Sequence, residues 1–457
     1  MRKESVKGSV DLLHGPILKN LIIFMIPIFI SNCFQQLYNA VDTAIVGHVL
    51  GENSLAAVGA TASIFELLVG FSMSLGAGFS IVIARAFGSG ETHKMKKAVA
   101  GSIEIGVFTT LILTILSMFL LKPLLVLIDT PQEIMDQALA YISVIGYFVF
   151  VMFAYNLCSG ILRSIGNSFM PLVFLVFSSI LNIFLDYACM AWLNMGVAGA
   201  AIATVISQGI SAVLCIIYMI TKVKEVVPQK EDFAWDSEMM KDLAGQGYAM
   251  ALMGSIVSVG SIILQSGING LGTKIIAGHV AARKVYALMN LPFISIGVAL
   301  STFIGQNKGS NQGERILRAM KDAYLFDVVF AAVCSLILWF GAPSLIHLIS
   351  GSNDPTIIGN GSKFLYVVGP FYAVLGMLMQ TRFALQGLGS KILPLFSSVI
   401  ECAGKILFTM FLIPVFQYNA VIWCEPIIWC LMLIELFISF ECNSYIKDVK
   451  KQMKLKV

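Results

Sequence analysis

The chain has 457 residues, 58% hydrophobic and only 12% charged, with 30 Lys+Arg against 26 Asp+Glu and a formal net charge of +4. Soluble domains carry about twice that share of charge, and a water-facing protein could not hide so much apolar surface. Soluble enzyme, nucleic-acid binder and disordered chain are therefore excluded. The apolar runs far exceed the roughly 10 residues of a barrel strand, so an all-α polytopic membrane protein is expected.

In chain order, the N-terminal MRKESVKGSVDLLHGPILKN leads into an apolar run from about Leu21. That run is long, contains polar residues and lacks a small-residue cleavage site, so it reads as a retained first span. Twelve runs of spanning length follow one another: 17–46, 53–84, 98–121, 133–158, 168–190, 195–220, 242–269, 275–304, 316–340, 358–382, 391–416 and 420–446. Each exceeds the roughly 20 residues needed to cross hydrocarbon. Pro27 lies inside the first and Pro292 inside the eighth, which membrane helices tolerate because neighbours satisfy the freed carbonyls. The longest polar interruption, residues 221–242, reads as a cytoplasmic linker. It divides an N-terminal six-helix bundle, 1–220, from a C-terminal one, 243–457.

Basic residues gather on alternate loops. One side holds Arg2, Lys3, Lys7 and Lys19, then Arg85, Lys94, Lys96 and Lys97, then Arg163. The same side continues through Lys222, Lys224, Lys230 and Lys241, Lys308, Arg315, Arg318 and Lys321, Arg382 and Lys391, and the tail from Lys447 to Lys456. The other side has little beyond Lys122, Lys274 and Lys363. This bias predicts cytoplasmic termini in a multi-pass protein of the cell (inner) membrane.

The two halves repeat. AIVGHV at 44–49 pairs with IIAGHV at 275–280, and Gln35 and Asn39 pair with Gln265 and Asn269. LRSIGNSFMP at 162–171 pairs with LQGLGSKILP at 385–394, and the Gly-rich loop 84–98 pairs loosely with 304–319. Because six spans is an even number, both halves enter the membrane the same way. A parallel repeat of that kind is an architecture of secondary transporters, with a central cleft between two pseudo-symmetric bundles. The nine cysteines include no C-x-x-C pair and read as packing thiols.

An ionised Asp at bilayer depth costs at least roughly 2.5–3.5 kcal/mol. Asp42 stands in QQLYNAVDTAIVG, late in the first span, and Asn182 and Asp186 stand in SSILNIFLDYACM, late in the fifth. Their i,i+4 spacing puts Asn182 and Asp186 on one face. Thr204 lies in GAAIATVISQ of the sixth span. If these spans pack together, two carboxylates and two neutral oxygen groups converge on a site for H+ or Na+. The repeat offset aligns Asn182 with Lys405 and Asp186 with Thr409, and Glu401 with Lys405 is expected to form an internal ion pair. Glu66, Glu104, Glu425 and Glu435 are further acidic candidates. Arg283–Lys284 in the eighth span would either snorkel or line the cavity. The 22 Met and 31 Phe supply packing and cation-π surface for organic cations.

PIFISNCFQQLYNAVDTAIVGHVLG, the LNIFLDY and MGVAGAAIATVISQ segments and the two Gly-rich loops resemble the multidrug and toxic compound extrusion (MATE) transporters over nearly the whole chain. The resemblance implies export of cationic, lipophilic compounds in exchange for Na+ or H+. It implies a cation site at Asp42, Asn182, Asp186 and Thr204, with Asn156 nearby, and a hinge at Pro27. Gln36, Tyr38, Asn39, Asn156 and Gln265 are assigned to the substrate cavity. One branch of the family carries acids in the seventh and eighth helices; here the seventh has none and the eighth offers Arg283 and Lys284. The expected protein is an alternating-access antiporter, not an enzyme, needing no cofactor beyond the coupling ion and no metal beyond a possible Na+. Its partners would be small organic substrates and the bilayer, with no nucleic acid, in a monomer. The alternative is a lipid-linked oligosaccharide flippase of the same superfamily.

Overall fold

A computed structural model describes residues 8–455. Arg2, Lys3, Lys7 and Lys456, counted above among the basic loops, lie outside the described residues. Within them the chain is helical, without strands. The first half runs α1 (Ile17–Leu50), α2 (Glu52–Ala60), α3 (Ala62–Gly88), α4 (Thr92–Leu127), α5 (Gln132–Tyr147), α6 (Val149–Ser164), α7 (Phe169–Tyr187) and α8 (Gly196–Lys222). The second runs α9 (Ser237–Asn269), α10 (Thr273–Gly309), α11 (Gly313–Ser350), α12 (Pro355–Val368), α13 (Tyr372–Gly387), α14 (Ile392–Leu407), α15 (Ile413–Phe416) and α16 (Tyr418–Cys442). A short α17 (Ser444–Leu455) follows.

Among the described residues eleven helical spans are long and apolar enough to cross a membrane, and α5–α6, bent by 48°, makes a twelfth when taken as one span. The expected twelve-span architecture is thus present. Large apolar side chains stay exposed where lipid would lie, as Phe108, Leu111 and Phe119 do on α4. In a bilayer that exposure costs nothing, because the surrounding acyl chains are as apolar as the side chains themselves.

The repeat read from the sequence extends to local irregularities. A π turn at Ala188–Trp192 ends α7, and another at Phe408–Leu412 ends α14. The α5–α6 bend is matched by the 3-10 turn Gly369–Phe371 between α12 and α13. One break is unmatched. The chain interrupts itself at Thr61 between α2 and α3, whereas α10 runs on without a break. Thr61 Oγ1 donates to the Val58 carbonyl at 2.8 Å, a local bond that competes with the helical ladder.

Contacts divide the chain into two units. One holds Ile23–Ala251 with the N-terminal residues to Leu13; the other holds Leu252–Val457 with His14–Ile22. The division falls inside α9, later than the 221–242 segment that looked like the linker. That segment is structured: 3-10 turns at Lys224–Val226 and Lys230–Phe233 lie against α4, and α9 already begins at Ser237. Three polar contacts fasten it. His93 Nδ1 meets Asp232 Oδ1 at 2.8 Å, Lys97 meets Asp236 at 3.4 Å and Arg85 donates to Asp242 at 3.0 Å. Burial opposes the charge on Asp232, but the Gln229 backbone N–H at 2.8 Å, His93 and Lys96 outweigh it and hold the carboxyl below its usual range.

Candidate functional site

The site in the first unit is built by α1, α5, α7 and α8. The run Gly199, Ala200, Ala201 and Ala203 is buried and lets α8 lie close on α7. A Cβ added at Gly199 would sit 3.1 Å from that of Cys189. Around this contact an apolar cluster forms from Val46, Ile142, Met190, Val197, Ala200 and Ala201.

Into that cluster the sequence delivers its polar residues. Asp186 and Asn182 are fully buried, and Thr204 and Asp42 are 5% and 9% exposed. The carboxyls of Asp42 and Asp186 lie within hydrogen-bonding reach of each other. Asn182 bridges α7 and α8: its amide nitrogen donates to Asp186 Oδ2 at 2.8 Å while its oxygen accepts from the Thr204 backbone N–H at 3.3 Å. This is the amide orientation that satisfies both neighbours. Tyr38 Oη and Thr204 Oγ1 share a hydrogen bond at 3.0 Å. Asp42 Oδ1 has no hydrogen-bond partner, and among the described residues no Lys, Arg or His forms an ion pair with either aspartate. All four expected cation-site residues therefore come together, with two oxygens of opposing carboxyls uncompensated by a basic side chain.

Two members escaped the sequence reading. Tyr141 of α5, 5% exposed, lies near Asp42, Tyr38 and Asp186, and Ser207 Oγ donates to the carbonyl of Thr204 at 3.0 Å. A Tyr or Ser at helical spacing carries no signal of its own. Of the residues assigned to a cavity, only Tyr38 joins this cluster. Asn156 is half-buried and donates to its own helix at Met152 (2.8 Å), and Gln36 and Asn39 are exposed. Gln265, in the second unit, donates to Asn269 at 2.8 Å. Pro27 is half-buried in α1, and Ser31 Oγ takes up its carbonyl at 2.8 Å.

In the second unit the corresponding region is neutralised. Lys405 Nζ donates to Glu401 Oε1 at 2.8 Å and to Ser261 Oγ at 3.0 Å, the ion pair expected from the i,i+4 spacing. Arg283 Nη1 donates to Glu425 Oε1 at 2.7 Å and its guanidinium lies over the Tyr286 ring at 4.5 Å. The neighbouring Lys284 is exposed. One buried acid here was also passed over. Asp327 on α11, fully buried, accepts from Gln380 Nε2 at 3.1 Å and is approached closely by Gly376 of α13. Its signal was present in the sequence: an Asp at membrane depth in LFDVVF carries the same insertion penalty as Asp42. Of the other acidic candidates, Glu66 is exposed, Glu104 is half-buried, and Glu435 accepts from Ser439 at 2.8 Å.

These features define a polytopic helical membrane protein on a twofold six-span repeat, with a small polar site buried inside one repeat. The chain belongs to the MatE family, whose profile matches residues 27–188 and 249–411. It is 27% identical to the probable multidrug resistance protein NorM of Thermotoga maritima, covering 84% of this chain and 82% of that one. Against the probable multidrug resistance protein YpnP of Bacillus subtilis it is 24% identical, covering 83% and 84%. A solved structure described as the outward-facing conformation of a multidrug resistance MATE family transporter of the MOP superfamily shares its fold. That match has a TM-score of 0.87 at 24% identity, over 98% of this chain and 100% of that one.

Proposed function

We propose that this protein is a secondary antiporter that exports lipophilic organic cations in exchange for H+ or Na+ by alternating access. The family and the relatives described as multidrug resistance proteins support a multidrug exporter. The observation that carries the ion coupling is the Asp42–Asp186 pair. Two carboxylates that close repel each other in a low-dielectric interior, and no basic side chain relieves them. A proton shared between them, or a Na+ held by their oxygens with Thr204, Tyr38 and Asn182, removes that penalty. Uptake of the ion redraws the contacts of α1 below Asp42, and Pro27, which lacks the N–H of a regular helix, is where α1 gives. Cargo and ion then weaken each other's binding by the same factor.

By the basic-loop bias the proposed exporter sits in the cell membrane with both termini cytoplasmic. The flippase alternative needs free cations for a pyrophosphate, and Arg283 is already engaged by Glu425. The deciding experiment is efflux of a fluorescent organic cation from proteoliposomes under an imposed pH or Na+ gradient, wild type beside Asp42→Asn. Gradient-driven efflux lost in the variant supports the reading. Unimpaired efflux in Asp42→Asn, or wild-type indifference to both gradients, overturns it.

A further inference from the structure

At the N-terminal end of α11 the second unit carries a recess of about 320 Å³. Its walls are Gly15–Ile17, Arg315, Arg318, Lys321 and Asp322. Arg315 is fixed in the wall: Nη1 donates to the Gly15 carbonyl at 2.9 Å and Nε to Asn307 Oδ1 at 3.1 Å, with the guanidinium 5.5 Å from the Phe303 ring centroid. Arg318 and Lys321 are exposed and, among the described residues, neither is in an ion pair. Its described lining carries three cationic side chains, Arg315, Arg318 and Lys321, and one carboxylate, Asp322.

The same helix face then changes character. Arg318 and Lys321 are i,i+3 neighbours, and Leu325 and Val328 follow at the spacings that keep them in register with those two. Leu325 is 61% exposed, and Val328 and Val329 are exposed with it. Lys321 to Val328 is seven residues, about 10 Å along the helix. A basic rim therefore stands directly above an apolar strip on a membrane-spanning helix. A soluble anion would use only the rim, whereas a lipid uses both.

We infer that this recess binds the phosphodiester head group of an anionic phospholipid, with its acyl chain lying along Leu325, Val328 and Val329. Arg318 and Lys321 hold the phosphate, and Arg315, locked by Gly15 and Asn307, presents a preset positive wall. Basic pockets at the ends of membrane helices are suited to such head groups, each Lys or Arg near the surface adding a comparable increment.

The test uses the purified full chain in detergent, titrated with phosphatidylglycerol or phosphatidylcholine and read by native mass spectrometry. The wild type is expected to retain phosphatidylglycerol preferentially, and the Arg318→Gln/Lys321→Gln variant to hold it about 30-fold more weakly. The charge-preserving swap Arg318→Lys/Lys321→Arg is expected to keep the preference, and Lys447→Gln/Lys451→Gln on α17 to leave it intact. Thermal unfolding in the same detergent checks that each variant is folded. Equal binding of the two lipids by the wild type, or an unchanged affinity in the double Gln variant, overturns the inference. So does displacement of the lipid by inorganic phosphate at matching concentration, which would mark the recess as a site for the free anion.

Discussion

The two units repeat one another span for span, yet they treat buried charge in opposite ways. In the first, Asp42 and Asp186 face each other on α1 and α7 with the neutral groups of Asn182, Thr204, Tyr38 and Tyr141 near them. In the second, the position that the repeat aligns with Asn182 holds Lys405, and it is matched by Glu401, just as Arg283 is matched by Glu425. Both arrangements meet the cost of taking charge out of water. The ion pairs meet it once, internally and permanently. On the proposed function, the aspartate pair leaves it to be met by the coupling ion. On that proposal the repeated fold divides into a half that exchanges an ion and a half in which Lys405 and Arg283 are held in ion pairs, although Asp327 is buried there without a basic partner among the described residues.

This contrast can be broken at four places. The largest effect is expected from Glu401→Gln, which strands Lys405 at 4% side-chain exposure. Removing one partner of a buried pair costs about 3–5 kcal/mol, so thermal unfolding should shift sharply downward, and adding Lys405→Met should restore only part of it, because Glu401 also pairs with Arg382 at 3.8 Å. A harmless Glu401→Gln would mean that the second unit's pair is not what holds its charge.

Next comes Asp42→Asn. The protein should fold and reach the membrane, while the change in cargo affinity between ion-loaded and ion-free conditions, about 5- to 150-fold for coupled sites, should vanish in equilibrium cargo binding. Asp327→Asn sharpens the same test. If that variant instead abolishes the gradient response, the ion site belongs to the second unit and the contrast fails.

A smaller effect is expected from Thr204→Val, which keeps the shape and removes the hydroxyl that meets Tyr38. Losing one hydrogen bond of roughly 1 kcal/mol should weaken ion binding about 5-fold, read as a shift in the ion concentration that gives half-maximal efflux.

The smallest concerns the segment 224–236 on α4. Asp232 has its carboxyl lowered in the folded state, so its contribution is complete above the ordinary Asp value near ~3.9 and is lost as pH falls through the lower folded value. Asp232→Asn should therefore cost less than ~1 kcal/mol at neutral pH. The difference from wild type should close in acid; a difference that grows there would refute the assignment.

How far the sequence reached depended on the kind of signal each residue gives. Asp42 and Asp186 were legible because a carboxylate in an apolar run is expensive wherever it points, and Asn182 followed from its i,i+4 place beside Asp186. Asp327 had the same signal. Tyr141 had none, because its type is ordinary in membrane helices and only the packing of α5 makes it a neighbour of the acids. Residues 221–242 read as a cytoplasmic linker because they have no helical apolar stripe of spanning length. Their anchoring combines the carboxylates of Asp232, Asp236 and Asp242 with the buried Val223 and Val226, and so short an apolar contact leaves no periodicity to read.

By itself the sequence determined the class of protein, the number of spans, the repeat and the identity of the costly charges. Each of these follows from local composition: hydrocarbon sets the length of an apolar run, and burial sets the cost of a charge. Only the tertiary structure decided which charges are answered. Lys405 meets Glu401 along one helix, but Arg283 meets Glu425 across 142 residues of chain, and Asp42 meets Asp186 across two helices. Whether a buried carboxylate finds a guanidinium or another carboxylate is fixed by which faces pack, and that is a property of the bundle rather than of any one span.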